Sequence, residues 1–303
     1  MPKVLGPRGS VLIKFYSFNP APKQASIRVT PLELAVSAVT VGDLDAFSLR
    51  SGRPLGMSPL SMQWRIAATL DCVHLRQGGS GKRWYRRPVY QNLEPTEKGF
   101  LSGLLGGVFS DLVARKVFKV DYFGHIEYFS GSYTSRRGVG KVRPDFLGLP
   151  KYAEPTSRAV VVESKGRSDR WPHSPKSPAV KKAKRQAGSV VGVSGFGKIL
   201  NYAQVAHFPT SVRSLQLNLY DPPVEISDDA VQHSPQPVDL RRYYRDVVRT
   251  IDALNGEQLS ISGVPYRIAP LELLGMAIGV PEAVYTAVRE DQPLRIGEFD
   301  YSR

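Results

Sequence analysis

The sequence predicts an α/β protein in which helices flank a mixed β-sheet, and three observations favour this class. Residues 159–162 form a short β-branched run, typical of a strand buried on both faces. The run is preceded by an apolar stripe with helical spacing, formed by Leu101, Leu105, Val108 and Leu112. A second helix is expected after the run, and leucines then alternate with other residues over 214–220, as in a half-buried strand.

The composition is that of a folded protein with a large positive charge. Of the 303 residues, 42% are hydrophobic and 22% are charged, which argues against global disorder. There are 41 Lys and Arg against 27 Asp and Glu, so the formal net charge is +14. Such a charge favours a protein that binds a polyanion over an enzyme of small acidic metabolites. We therefore expect nucleic acid as the main partner.

The sequence shows no sign of export or membrane insertion. Its first 25 residues contain no continuous apolar segment, and no stretch approaches the roughly 18 apolar residues of a membrane span. The single cysteine, Cys72, cannot form an internal disulfide. We expect a reducing, cytoplasmic setting with no role at a membrane.

Most of the positive charge lies in one segment, residues 136–185. This segment has fourteen basic and four acidic residues, a net charge of +10. Phosphate groups of a nucleic acid backbone would be attracted to such a field. A solvated basic surface without a ligand is the alternative.

The predicted helix in front of the β-branched run begins after Glu94-Pro95, with Thr96 as its N-cap, and ends near Ala114. Its apolar stripe is interrupted by glycines, which weaken a helix intrinsically. They predict either support from packing or the close approach of another backbone. These glycines are Gly103, Gly106 and Gly107.

Further elements are expected on both sides of the run. Before it, we predict strands at 117–122, 126–129 and 142–147, with a hairpin across Gly124. After it, Ser177 is a suitable N-cap for a helix over 178–190, whose apolar stripe consists of small residues. The strand over 214–220 completes this region.

The remaining parts of the chain are predicted as separate regions. Strands are expected at 11–15 and 64–73 and a short helix at 31–39 in a mainly β N-terminal region. A linker rich in Pro and Asp precedes a helix over 240–254, a hairpin at Ser262-Gly263 and helical segments from Pro270 and Pro281. The predicted division is 1–93 for binding a partner or nucleic acid, 94–221 as the core, 222–237 as the linker and 238–303 as a small α+β unit.

Two carboxylates and a lysine are predicted to meet on neighbouring strands. Glu163 and Lys165 directly follow the β-branched run and share one strand face, about 6.5–7 Å apart. Asp145 ends the preceding predicted strand, at a Pro-Asp step. If the strands are neighbours, the two carboxylates can bind one Mg²⁺ together with phosphate and water. Lys165 would then position or deprotonate the attacking water, or neutralise the charged transition state.

At these residues the chain resembles the PD-(D/E)XK nuclease superfamily, which has the restriction-endonuclease-like fold. The motif is Pro144-Asp145 followed, after seventeen residues, by Glu163-Ser164-Lys165. The resemblance covers about residues 95–220 and includes the order of helices and strands. It implies a nuclease dependent on Mg²⁺, or on Mn²⁺, and favours DNA as the substrate and cleavage within the chain. RNA as the substrate and cleavage from an end remain open at this point.

The resemblance also implies roles for further residues. The Ser164 carbonyl would assist metal binding, and Glu97, or its rival Glu94, would supply an acid from the first helix. Gln186 or Lys182 would be the polar residue on the helix after the motif. The predicted contacts to the nucleic acid backbone are Arg136, Arg137, Arg143, Arg167, Lys181, Lys182, Lys184, Arg185 and Gln186.

Relatives of this fold act in restriction, phage defence, repair and transposition, so we expect a defence or mobile-element context. Three alternatives remain open at this point. The protein would be a nuclease-like scaffold that binds nucleic acid without cutting it, with a protein partner at either terminal region, or it would be an RNA-binding module. In the third alternative, Glu163 and Lys165 form only a surface ion pair and Asp145 is a turn residue. The five histidines are scattered without zinc-type spacing and predict no zinc site.

Overall fold

The computed structural model describes residues 7–18, 24–41, 58–78, 81–136, 143–152, 156–168, 174–208, 213–221 and 237–296. These residues form a mixed α/β fold with a nine-stranded sheet, two smaller sheets and six α-helices. The predicted α/β class is confirmed. Arg137 and nearly all of the predicted linker lie outside the described residues.

The N-terminal part of the described chain contains four strands and two helices. They are β1 (Gly9–Tyr16), β2 (Gln24–Val29), α1 (Pro31–Thr40), α2 (Pro59–Cys72), β3 (Val73–Gly78) and β4 (Gly81–Arg86). The middle part contains α3 (Pro95–Lys116), β5 (Tyr122–His125), β6 (Tyr133–Ser135), β7 (Phe146–Leu149), β8 (Arg158–Arg167), α4 (Pro178–Ala187), β9 (Val190–Val193), β10 (Lys198–His207) and β11 (Gln216–Tyr220). The C-terminal part contains α5 (Arg241–Ala253), β12 (Glu257–Ile261), β13 (Val264–Leu271), β14 (Met276–Pro281) and α6 (Glu282–Arg289).

Strand β8 lies in the interior of the large sheet, whose order is β3-β4-β1-β11-β10-β8-β7-β5, with β2 paired to β1. The side chains of residues 159–162 are completely buried, as the β-branched run predicted. Strand β7 pairs with β8 in antiparallel fashion, with Phe146 opposite Val162. Helix α4 connects β8 to the parallel strand β10. The pairing of β7 with β8 brings Asp145 beside Glu163.

Helix α3 packs very closely on the end of β8, and glycines on both elements make this possible. A Cβ atom on Gly166 would lie 1.6 Å from the Ser102 carbonyl oxygen, and one on Gly106 would lie 2.9 Å from the Gly166 nitrogen. The close approach predicted at the helix glycines is thus confirmed at Gly106. At Gly107 the nearest neighbour of an added Cβ is the Phe146 ring, at 3.1 Å.

Several predicted elements differ from the structure. Residues 64–72 belong to helix α2 instead of a strand, because Met62, Ile66 and Thr69 recur with helical spacing and Ser58 caps the helix. No hairpin spans Gly124, since 126–129 form a 3₁₀ helix directly after β5. The N-cap of α3 is Glu94 instead of Thr96.

The N-terminal strands extend the same sheet as the predicted core. Strand β1 pairs in parallel with β11, with Ile13 opposite Leu217, and also pairs with β2 and β4. One hydrophobic core includes Val11, Phe109 and Val162. The boundary predicted at residue 93 therefore does not coincide with a break in the sheet or the core.

The C-terminal unit is an antiparallel three-stranded sheet, β12-β13-β14, packed with α5 and α6. The hairpin predicted at Ser262-Gly263 and the helix predicted after Pro281 are confirmed. Pro270 lies within strand β13 instead of starting a helix. No helix in the described ranges is long and apolar enough to cross a membrane.

Candidate active site

Asp145, Glu163 and Lys165 come together where β7 begins and β8 approaches its end. The Ser164 backbone N–H donates a hydrogen bond of 2.9 Å to Asp145 Oδ2, which holds the two strand segments together. Lys165 Nζ lies 4.0 Å from the same oxygen and forms an ion pair with Glu163 Oε1. The three groups that the sequence placed twenty residues apart therefore form one cluster.

Glu163 is the buried member of this cluster. Its side chain is 0% exposed, and its Oε2 atom has no hydrogen-bond partner among the described residues. Burial raises the pKa of the Glu163 carboxyl to about 7, and the neighbouring Asp145 carboxylate adds to the rise, whereas Lys165 opposes it. The ion pair with Lys165 thus compensates only part of the desolvation of this carboxylate.

The donor atoms of the cluster fit a hard divalent cation. Glu163 Oε2 is an acceptor without a partner in the described ranges, and the Asp145 side chain is 36% exposed, so solvent can reach Asp145. Carboxylate, carbonyl and phosphate oxygens are the ligands that Mg²⁺ and Mn²⁺ accept. In the described part of the chain, no group of three or more His, Cys, Asp and Glu side chains is arranged around a metal position. An ion here would therefore need the Ser164 carbonyl, water or substrate oxygens to complete its shell.

A cleft of about 470 Å³ opens beside this cluster. Asp145, Ser164 and Lys165 line it from the strands, and Gly99, Phe100 and Gly103 line it from the first half of α3. Its other lining residues are Val41, Arg65, Leu104, Gly107, His125, Phe146 and Gly166. Pockets that bind small molecules in proteins have volumes of about 300–1,000 Å³. The carboxylate and the lysine are thus accessible to a ligand that enters the cleft.

Glu97 lies outside the cleft, contrary to its predicted role as a further acid. Its Oε2 atom accepts a hydrogen bond of 2.9 Å from the Glu94 backbone N–H, and the two residues form a capping box. This contact satisfies a backbone donor at the start of α3. Glu94 is exposed at the same helix terminus. Neither acid is brought to the metal position.

Gln186 lies close to the Pro-Asp step, as the predicted polar residue on the helix after the motif. Its Nε2 atom donates to the Arg143 carbonyl at 3.5 Å, two residues before Asp145. The Arg143 guanidinium forms an ion pair with Glu127, which raises the pKa of the arginine. Both residues hold the start of β7 in place.

The other predicted contacts to nucleic acid are spread over the surface near β8 and α4. Helix α4 buries Val180, Ala183 and Ala187 and turns its cations outward. Of these cations, Lys181, Lys182 and Arg185 are exposed, and Lys184 is half-buried. Arg136 and Arg167 are half-buried as well.

His125 is a cleft residue that the sequence reasoning did not select. It ends β5, pairs with Phe146 across the β5–β7 ladder and contacts the Phe146 ring edge-on at 6.2 Å. The next residue, Ile126, donates its backbone N–H to the Asp145 carbonyl at 3.0 Å. Only the strand pairing reveals this position, because the predicted hairpin placed His125 in the wrong element.

The chain gives no significant match to any protein-family model, any curated protein or any solved structure.

Proposed function

We propose that this protein is a metal-dependent nuclease that hydrolyses phosphodiester bonds in the cleft beside β8. The observation that carries the proposal is the convergence of Asp145, Glu163 and Lys165 beside that cleft, which Asp145 and Lys165 line. One Glu163 carboxylate oxygen in this cluster has no hydrogen-bond partner among the described residues. The order of α3, β5, β7, β8, α4 and β10 supports it, since this is also the element order of the nuclease superfamily that the motif resembles.

Asp145, Glu163 and the Ser164 carbonyl would hold Mg²⁺ or Mn²⁺. A bound divalent ion supplies Lewis acidity, which lowers the pKa of a bound water and offsets negative charge on a phosphate. The ordered β7–β8 pairing keeps the two carboxylates in place before any ligand arrives. Preorganisation of this kind lowers the cost of binding the ion and the substrate together.

Lys165 supplies a positive charge that faces the cleft. Its ammonium pairs with Glu163 and lies 4.0 Å from Asp145, while about one third of the side chain is exposed. A phosphate oxygen that entered the cleft would meet this ammonium directly. As negative charge develops on the phosphate during attack by water, Lys165 would stabilise it.

The proposal is tested by incubating supercoiled plasmid and labelled DNA and RNA oligonucleotides with the protein in Mg²⁺, Mn²⁺ or EDTA. We expect cleavage only with a divalent ion, and its loss in Lys165→Ala. Asp145→Asn should raise the metal concentration needed for half-maximal rate by at least about tenfold, because one anionic ligand is lost. Lys198→Ala is the matched control, since Lys198 is an exposed lysine at the opposite end of the β8–β10 pair.

Two results would contradict the proposal. One is binding of DNA or RNA without cleavage by any divalent ion, which would instead indicate a nuclease-like scaffold. The other is cleavage by Lys165→Ala at the rate of Lys198→Ala.

A further inference from the structure

Two large aromatic side chains lie together in water at the mouth of the cleft. Trp64 on α2 is 46% exposed and Phe100 on α3 is 51% exposed. Their ring centroids are 5.2 Å apart and the ring planes are inclined by 54°. Phe100 itself lines the cleft with Asp145 and Lys165. Phe100 therefore presents aromatic surface within the same opening as the proposed catalytic groups, and Trp64 extends that surface beside it.

Trp64 differs in this respect from Trp84, which is 3% exposed and donates its indole N–H to the Val29 carbonyl at 3.2 Å. A single exposed apolar residue is common on protein surfaces. Here two rings in contact lie beside a cleft that also holds the charged side chains of Asp145 and Lys165, and an apolar ligand face would cover the rings.

The helix face next to the rings leaves open space. A Cβ atom on Gly99 or on Gly103 would meet no atom within 4 Å, although both residues line the cleft. Alanine would therefore fit at either position and would favour the helix by about 0.5–1 kcal/mol. Packing within the described residues does not account for these two glycines, whereas close approach of a ligand to α3 would.

Positive charge accompanies the aromatic surface. Arg65 follows Trp64 in sequence on α2 and lines the cleft together with Lys165. Proteins that bind single-stranded nucleic acid combine cations along the phosphate backbone with aromatic rings on which bases stack. The cleft offers both, together with the carboxylate site.

We propose that the cleft takes an unpaired nucleic acid strand, with a base stacked on the Trp64–Phe100 pair and its phosphate directed towards Lys165. This inference rests on the proposed nuclease function and names its substrate class. Bases inside a duplex are covered on both faces by their neighbours and cannot stack on a side chain unless they are flipped out. An unpaired strand or a frayed end presents them without that cost.

The inference is tested by binding in EDTA, where cleavage is not expected. The probes are fluorescein-labelled dU12, U12 and a blunt 12-base-pair DNA duplex, followed by anisotropy. We expect Trp64→Ala and Phe100→Ala each to weaken binding of an unpaired strand about tenfold, because base–aromatic stacking contributes about 1–3 kcal/mol per base. Binding of the duplex should change less than twofold.

Leu60→Ala is the matched control for loss of exposed apolar surface. Leu60 lies on the same helix, one turn before Trp64, and is 72% exposed but has no ring. It should bind both unpaired strands as the wild type does. Trp64→Phe, which retains a ring, should recover most of the affinity lost in Trp64→Ala, and thermal unfolding of each variant checks that it is folded.

Equal loss of single-strand and duplex affinity in the alanine variants would overturn the inference, and so would unchanged affinity for both dU12 and U12. Comparison of dU12 with U12, which carry the same base, shows which sugar accompanies the stacked base. Failure of the two proposals is distinguishable. Ring-dependent binding by a protein that never cleaves would refute the nuclease alone, whereas metal-dependent cleavage without ring dependence would refute the stacking alone.

Discussion

Replacing Glu163 by glutamine is expected to make the metal-free protein more stable at alkaline pH. The carboxyl is completely buried and has a pKa of about 7, against 4.5 for an ordinary glutamate. Between these two pH values the folded chain keeps a proton on Glu163 that the unfolded chain releases. The contribution of Glu163 to stability is therefore highest below about pH 4.5 and is lost as the pH rises through about 7.

The magnitude follows from the distance between the two pKa values. One pH unit corresponds to about 1.4 kcal/mol, so the full loss is about 3 kcal/mol. About 2–3 kcal/mol of it should appear between pH 5 and pH 8. Glutamine carries no proton to lose, and Glu163→Gln should therefore lack this component of the pH dependence.

The measurement is urea unfolding at pH 5, 6, 7 and 8 in EDTA, followed by circular dichroism. The quantity of interest is the difference in unfolding free energy between wild type and variant, in which other titrating groups cancel. Glu257→Gln serves as control, because Glu257 is an exposed carboxylate on β12. If the unfolding free energies of wild type and Glu163→Gln change with pH in parallel, burial of Glu163 does not raise its pKa and the reasoning is refuted.

Bound Mg²⁺ should offset the loss of stability that ionisation of Glu163 causes, and it should do so in the wild type alone. At pH 8 the carboxylate is mostly ionised and ready to bind a cation, so saturating Mg²⁺ is expected to raise the unfolding free energy. At a hundred times its dissociation constant a ligand adds about 2.7 kcal/mol. The same addition should leave Glu163→Gln nearly unchanged and should stabilise the wild type less at pH 5.

Four further predictions concern packing, capping and charge. Gly166→Ala should destabilise the protein by about 3 kcal/mol, because its Cβ would overlap the Ser102 carbonyl, and should slow cleavage by displacing α3 from β8. Gly103→Ala, with open space around the new methyl, should instead raise the melting temperature by about 1–3 °C. Glu97→Ala should cost about 1 kcal/mol of stability through the lost cap and leave the cleavage rate unchanged; a loss of rate at full metal saturation would return Glu97 to the site. Charge reversal of the exposed α4 cations Lys181, Lys182 and Arg185 should reduce the slope of log K for single-strand binding against log salt by about 2. An unchanged slope would show that these three residues lie outside the interface.

The core of the site could be predicted because its signals are local. Alternation along a strand places Glu163 and Lys165 on one face, and the preceding β-branched run marks the strand as buried. The glycines of α3 likewise predict a close approach, which the structure shows at Gly106. Asp145 needed one assumption, that the two strands are neighbours, and the β7–β8 register satisfies it.

Other features differ from the prediction, some because of local contacts and some because of contacts between distant residues. Glu97 is an acid of the type that a metal site could use, yet its carboxylate caps the start of α3. It does so because Glu94, three residues earlier, offers a backbone N–H donor. His125 enters the cleft through the pairing of β5 with β7. The strand predicted at 64–73 was wrong for a local reason, because Met62, Ile66 and Thr69 recur with helical spacing and Ser58 caps the helix.

The amino-acid sequence determines the positive charge, the buried β8 strand and the residue types able to bind a cation and a phosphate. Assembly of the N-terminal strands into the same sheet and the meeting of Trp64 with Phe100 at the cleft are properties of the folded chain alone. The physical reason is range: periodicity, capping and β-branching act over a few residues, whereas strand order and a cleft depend on which distant surfaces bury one another.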